Sequence, residues 1–138
     1  MSTVVLYDAQ LMTRYYERRA QASINLISDF KLGQVVWGDG FEDTVDGQPS
    51  VATIPLDTAA IPDIFLTNDP IYTYANGRIT IRAVLPAGSV AEGTQSKFTA
   101  LGVLDDQGGL VAVLASTPIW INDKRSLVVE GYIDTNIA

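Results

Sequence analysis

Residues 97–116, KFTALGVLDDQGGLVAVLAS, decide how this 138-residue chain is read. Two apolar segments flank Asp105-Asp106-Gln107-Gly108-Gly109, a cluster of residue types that tolerate the tight, left-handed backbone of a chain reversal. The stretch is therefore a β-hairpin, and SLVVEGYID at 126–134 follows as a third short strand. Very little in these segments could do chemistry: they are built of aliphatic residues, small residues and turn formers.

A second hairpin lies upstream. Asn76-Gly77 is the sharpest turn signal in the chain, and a two-residue loop there sets Tyr74 opposite Ile79, Tyr72 opposite Ile81 and Thr73 opposite Thr80. That register predicts two aromatic–aliphatic pairs on a core face. Pro70 marks the start of its first strand, and Pro86-Ala87-Gly88 ends the second. SVAEGTQS, 89–96, is small and polar and reads as the connection to the 97–116 hairpin. Pro49, Pro55 and Pro62 punctuate the stretch from Gly40 to Leu66, which predicts a long loop with a short helical turn around Asp57 to Ala60.

The N-terminal third reads as a helix from Asp8 to about Leu26. Asp8 is a candidate N-cap, since a carboxylate there accepts from the free N–H groups of the first turn. Leu11, Tyr15, Ala22 and Leu26 form one stripe, and Met12, Tyr16, Ser23 and Ile27 the next. Arg18 and Arg19 interrupt this band, which leaves two readings: one side packs on the sheet and the other faces a partner, or both tyrosines are half-buried with their hydroxyls at the surface. No internal repeat or linker is visible. The expected fold is one α+β domain over 1–138, with the N-terminal helix packed on a mainly antiparallel sheet or small sandwich holding segments 71–85, 97–116 and 127–133.

Composition supports a globular chain. Hydrophobic residues make up 47%, and a chain of this length buries roughly two thirds of its surface on folding. No apolar run approaches the ~18–20 residues that span a bilayer, and Asp8 falls where a signal peptide would be hydrophobic. These features predict a soluble protein made in a cytoplasm. The net charge of −7 is concentrated in residues 31–74, where Lys31 alone stands against Asp39, Glu42, Asp43, Asp46, Asp57, Asp63 and Asp69. Such a surface repels phosphate, which argues against nucleic-acid binding.

The full pattern resembles the N-terminal attachment domain of phage tail fibres, the tail-collar fibre family. The matching residues are Leu101-Gly102-Val103-Leu104-Asp105-Asp106 with Gly108, then Leu110-Val111-Ala112-Val113, and Tyr132-Ile133-Asp134 at the close. Upstream, a helix-like stretch leads through LGQVVWGDG to a corner at Gly38-Asp39-Gly40 and an acidic loop, as in that family. The helix here is more aromatic and basic than the Ala-rich version expected, and the chain stops where a fibre shaft would begin. The resemblance implies a structural virion component, an adaptor anchoring tail fibres to the baseplate, made in a bacterial cytoplasm and contacting other tail and baseplate proteins. It further implies a homo-oligomer, a trimer being the preferred state.

The residue inventory says little for catalysis. The chain has no His and no Cys, so Ser-His-Asp and Cys-His sets, disulfides and thiolate zinc sites are all excluded. Gly38-Asp39-Gly40 lacks the glycines and the Lys-Ser/Thr of a phosphate loop. DGFEDTVDG, 39–47, gathers four carboxylates but places Phe41 at the third position of a calcium loop and has no closing glutamate, so a solvated acidic loop is expected. Plentiful carboxylates without a selected pair do not define a glycosidase. The expectation is no enzyme, no cofactor and no metal, with Tyr15, Tyr16, Arg18 and Arg19 as the partner-binding residues, because aromatic and Arg side chains dominate interface energetics. The alternative is a small β-rich module for a receptor or carbohydrate. Trp37 and Trp120 would be its sugar platforms, although the strand context of each favours burial in a core or interface.

Overall fold

A computed structural model describes residues 2–134. The order along the chain is β1 (Ser2–Asp8), β2 (Gln10–Leu11), α1 (Thr13–Ser23), β3 (Leu32–Asp39), β4 (Glu42–Val45), β5 (Gln48–Val51), β6 (Asp63–Asn68), β7 (Ile71–Ala75), β8 (Arg78–Leu85), β9 (Gln95–Asp105), β10 (Leu110–Asn122) and β11 (Leu127–Asp134). The expected α+β class is thereby corrected: the protein is mainly β, and its one helix among the described residues has eleven residues.

The helix is shorter than its periodicity suggests because sheet pairing claims its N-terminal end. Asp8 is no N-cap; it closes β1, which runs parallel to β11, and pairs with Tyr132. Gln10 and Leu11 pair with Val113 and Ala112 of β10, and the buried Met12 takes the cap position. STVVLYD is rich in β-branched residues, and pairing with a buried strand outweighs a 3.6-residue stripe that begins at Leu11. At the other end Asn25 adopts a left-handed φ of 60°, donating to Ala22 O while Leu26 N–H reaches Gln21 O. This is the Schellman closure, with Asn at the position more often taken by Gly.

The strands form two main sheets, in the orders β1-β11-β8-β7 and β2-β10-β9-β3-β6, with β4-β5 as a separate ribbon. One core lies between the main sheets. Ile81, Ala83, Leu85, Leu127, Val129 and Ile133 enter it from the first, and Val35, Trp37, Phe98, Leu101, Val103 and Leu114 from the second. Two polar bolts cross this layer. Asn68 accepts from Trp37 Nε1 at 2.9 Å and donates to Val84 O at 2.7 Å, and Tyr72 OH donates to Gly33 O at 2.7 Å. Burial, reinforced by the nearby charge of Asp69, raises the Tyr72 phenol well above its ordinary pKa and keeps it a donor.

The expected hairpin at Asn76-Gly77 is present in the expected register, with Tyr74↔Ile79, Tyr72↔Ile81 and Thr73↔Thr80 paired and both turn residues at positive φ. Ile81 is fully buried, but Tyr74, next to the turn, is 65% exposed. The 97–116 hairpin also forms, with β10 extending to Asn122 past a register break between Ala115 and Ile119 that accommodates Pro118.

The long loop expected from Gly40 to Leu66 is corrected too. Asp46-Gly47 turns a second tight hairpin, with φ of 52° and 76°, and β6 pairs with β3. Pro49 fits within β5 because a two-stranded ribbon leaves free edges. No helix forms at 57–60; Thr58 N–H closes a turn on Pro55 O instead. This segment covers the outer face of the second sheet. There Ile61, Met12, Val36, Ala100, Leu110 and Val113 make a second small core, flanked by Phe41 and Ile54. With both faces covered, β9 and β10 carry the near-continuous apolar runs seen in the sequence.

Candidate functional site

The strongest side-chain constellation joins α1 to the β9–β10 turn. Arg14 and Arg18 sit four residues apart and so share a helix face. Asp105 lies at the end of β9 with its carboxylate wholly buried. Its Oδ1 accepts from the backbone N–H groups of Gln107 and Gly109, both at 2.9 Å, holding the turn closed. Its Oδ2 faces Arg14 Nε at 2.6 Å and Arg18 Nη1 at 2.9 Å. Arg18 Nη1 also donates to Asp106 Oδ1 at 2.8 Å. Burial alone would push the Asp105 carboxyl up, but the hydrogen bonds from Arg14, Gly109, Arg18 and Gln107 together outweigh it and bring the pKa down to about 2. The Asp106 and Asp105 carboxylates in turn raise that of the Arg18 guanidinium.

This clamp sorts the four residues predicted to bind a partner. Tyr15 is 4% exposed and packs edge-on against Phe30 at 5.4 Å, while Arg18 stacks over the same ring and is committed to Asp105 and Asp106. Tyr16 and Arg19 point outward, Tyr16 at 56% exposure, and Ile24 and Leu26 project just beyond the helix. The structure therefore does not bring all four onto one open surface. Arg14 and Asp105, which organise the region, lie outside the four residues that the sequence suggests. The available signal was the Arg14/Arg18 spacing of four together with a paired-acid turn, but nothing local says that the two meet across 91 residues.

The acidic stretch is spread along its ribbon. Asp39 and Glu42 share Lys97 Nζ, at 3.5 and 2.6 Å, and the Glu42 hydrogen bond, with help from Asp39, raises the Lys97 pKa. The Asp43 carboxylate accepts from Thr44 N–H, and Asp46 occupies the turn. Among the described residues no three carboxylates converge as a metal-holding group, and no helix is long and apolar enough to cross a membrane. A cleft of about 230 Å³ between α1 and residues 56–59 is lined by Arg14, Glu17, Leu56 and Asp57. Of the two tryptophans, Trp37 is fully buried in the inter-sheet core, whereas Trp120 is 54% exposed.

The geometry is that of a mainly β framework whose one described helix is locked to the β9–β10 turn by ion pairs. The family model described as Bacteriophage P1 tail fiber protein R matches residues 1–128. Tail fiber protein R of Escherichia phage P1 is 34% identical over 113 residues, covering 79% of this chain and 78% of that protein. The chain belongs to the bacteriophage P1 tail fibre protein R family, and is thus a structural protein of the phage tail. No solved structure matches it.

Proposed function

We propose that this tail protein is a non-enzymatic adaptor that anchors fibres to the baseplate, docking through the outward face of α1. One observation carries the reading: Tyr16, at 56% exposure, and the exposed Arg19 face outward from a helix whose other side is locked by Arg14 and Arg18, and Ile24 and Leu26, at 71% and 69% exposure, follow in the turn that closes it. A rigid element presenting an aromatic ring, two aliphatic side chains and a guanidinium has the composition of an interface centre. Tyr15 and Arg18 then serve the contact by holding the helix in place. A homotrimer suits this role, because it gives a fibre three equivalent attachment points.

The double substitution Tyr16→Ala with Arg19→Ala tests the proposal. The circular dichroism spectrum and melting temperature should stay within a few degrees of the parent, because neither side chain is buried. Incorporation into particles should fall at least tenfold. Parental incorporation by a folded variant would move the docking surface elsewhere, and sedimentation equilibrium tests the trimer separately. A second reading, a carbohydrate contact, rests on the exposed indole of Trp120. A glycan that quenches its fluorescence and is lost in Trp120→Ala would favour that reading.

A further inference from the structure

The β4–β5 ribbon is held at its base and free at its tip. At the base Lys97 binds Glu42, Gly40 N–H donates to Thr99 Oγ1 at 2.8 Å, Ala52 N–H bonds Phe41 O at 2.6 Å, and Phe41 packs against the second core. Beyond it every residue from Glu42 to Pro49 is exposed, on both faces of the ribbon. The pairing Val45↔Gln48 puts Asp43, Val45, Gln48 and Ser50 on one face, and Glu42↔Val51 puts Glu42 and Val51 on the other. Val45 and Val51 are 55% and 42% exposed.

A two-stranded ribbon that meets the rest of the protein through β10 and its base is marginally stable by itself in water, and the exposed side chains of Val45 beside its turn and Val51 near its base gain nothing from solvent. The chemistry of the occupant follows from charge. Between Lys31 and Arg78 the sequence has no cation and seven acids, and of the three on the ribbon only Glu42 has its charge met by a lysine. A second copy would bring the same acids and be repelled; a basic surface would be attracted. We propose that the β4–β5 ribbon is a docking arm, separate from the helix face, that inserts into a Lys/Arg-bordered apolar groove on a different protein of the tail. The proposal rests on the reading that this protein works through contacts, but not on the helix being one of them.

The test uses full-length protein supplied in trans to a phage lacking its own copy, with copies per particle counted by mass spectrometry. Two ribbon variants are made, Asp43→Lys and Asp43→Asn/Asp46→Asn; Asn at 46 keeps the left-handed turn accessible. Glu92→Gln, an exposed acid outside the ribbon, is the control. The expected result is at least a tenfold loss of incorporation for Asp43→Lys, a smaller loss for the neutral pair, and none for the control, with amide protection of β9 and β10 unchanged in all three. A photo-crosslinking residue at position 45 in assembled particles should attach to a Lys/Arg-containing peptide of another tail protein. Parental incorporation of Asp43→Lys, or a crosslink to a second copy of this chain or to an acidic peptide, overturns the proposal. If the ribbon variants assemble normally while Tyr16→Ala/Arg19→Ala does not, the ribbon is excluded and the helix reading stands; the opposite pattern removes the helix and leaves the ribbon.

Discussion

Asp105 performs two tasks that ordinarily fall to different residues. One oxygen closes the β9–β10 turn through two backbone N–H groups, and the other receives two guanidinium groups from α1. Its folded pKa of about 2 lies below the ordinary carboxyl value of 3.8. A carboxyl whose folded pKa is depressed contributes stability that is fully present above the unfolded pKa and disappears as pH falls through the folded one. The ion-pair contribution should therefore be intact at pH 7 and lost between about pH 4 and pH 2. Its size is of order 1–2 kcal/mol, because partial exposure of Arg14 screens part of the interaction. Urea denaturation across that range should show the loss in the parent and a flatter acid limb in Asp105→Asn. At pH 7 the same variant should be destabilised by a comparable amount, about 1–2 kcal/mol, because Arg14 and Arg18 lose the buried carboxylate while Arg18 keeps Asp106 as a partner. An unchanged urea midpoint at pH 7 would mean that the clamp contributes nothing to folding.

Among the elements, the second sheet is unusual in being buried on both faces, and Gly102 on β9 shows how tightly its outer layer is seated. A methyl group there would lie 2.8 Å from Ile61 Cγ1, Leu110 Cδ1 and Val36 Cγ2 at once. Gly102→Ala should cost about 1–3 kcal/mol by overpacking. Calorimetric unfolding would check it: an unshifted melting temperature would indicate that residues 52–62 do not pack on the sheet in solution. The two tight hairpins could both be read locally, since Asn-Gly and Asp-Gly are the residue pairs that a turn with two positive φ values requires. The Asp46-Gly47 signal is masked in the sequence, because Pro49, Pro55 and Pro62 follow it and Asp39, Glu42 and Asp43 precede it, and neither residue type favours a paired strand.

Across the protein as a whole, the inter-sheet core and the ribbon mark the two extremes of expected stability. Amides of 98–105, 110–115 and 127–133, buried in central strands, should exchange slowest, and those of 42–51 fastest. Exchange followed by NMR would show it. An unprotected 97–116 region would overturn the architecture, and a ribbon as protected as β9 would show it to be packed rather than projecting. Polar bolts from Asn68 and Tyr72 join the two main sheets, so loss of either should loosen β6 and β7 before the centre.

Local chemistry was enough to place the 97–116 hairpin, the Asn76-Gly77 turn with its register, the third strand and the absence of His and Cys chemistry. Each depends on residue type or on neighbours a few positions apart, where φ preference and alternation act directly. The family pattern was readable for the same reason, since its turn glycines and β-formers are contiguous. Long-range pairing decided the rest. The partnership of β1 and β2 with β11 and β10 converted the expected start of the helix into strand. Contacts across some 90 residues turned Arg14 and Arg18 inward to Asp105 and left Tyr16 and Arg19 facing out. A stripe of apolar residues shows that a segment has something to bury, but the partner that buries it, and therefore whether it becomes helix or strand, is set by free energies that exist only once distant segments meet.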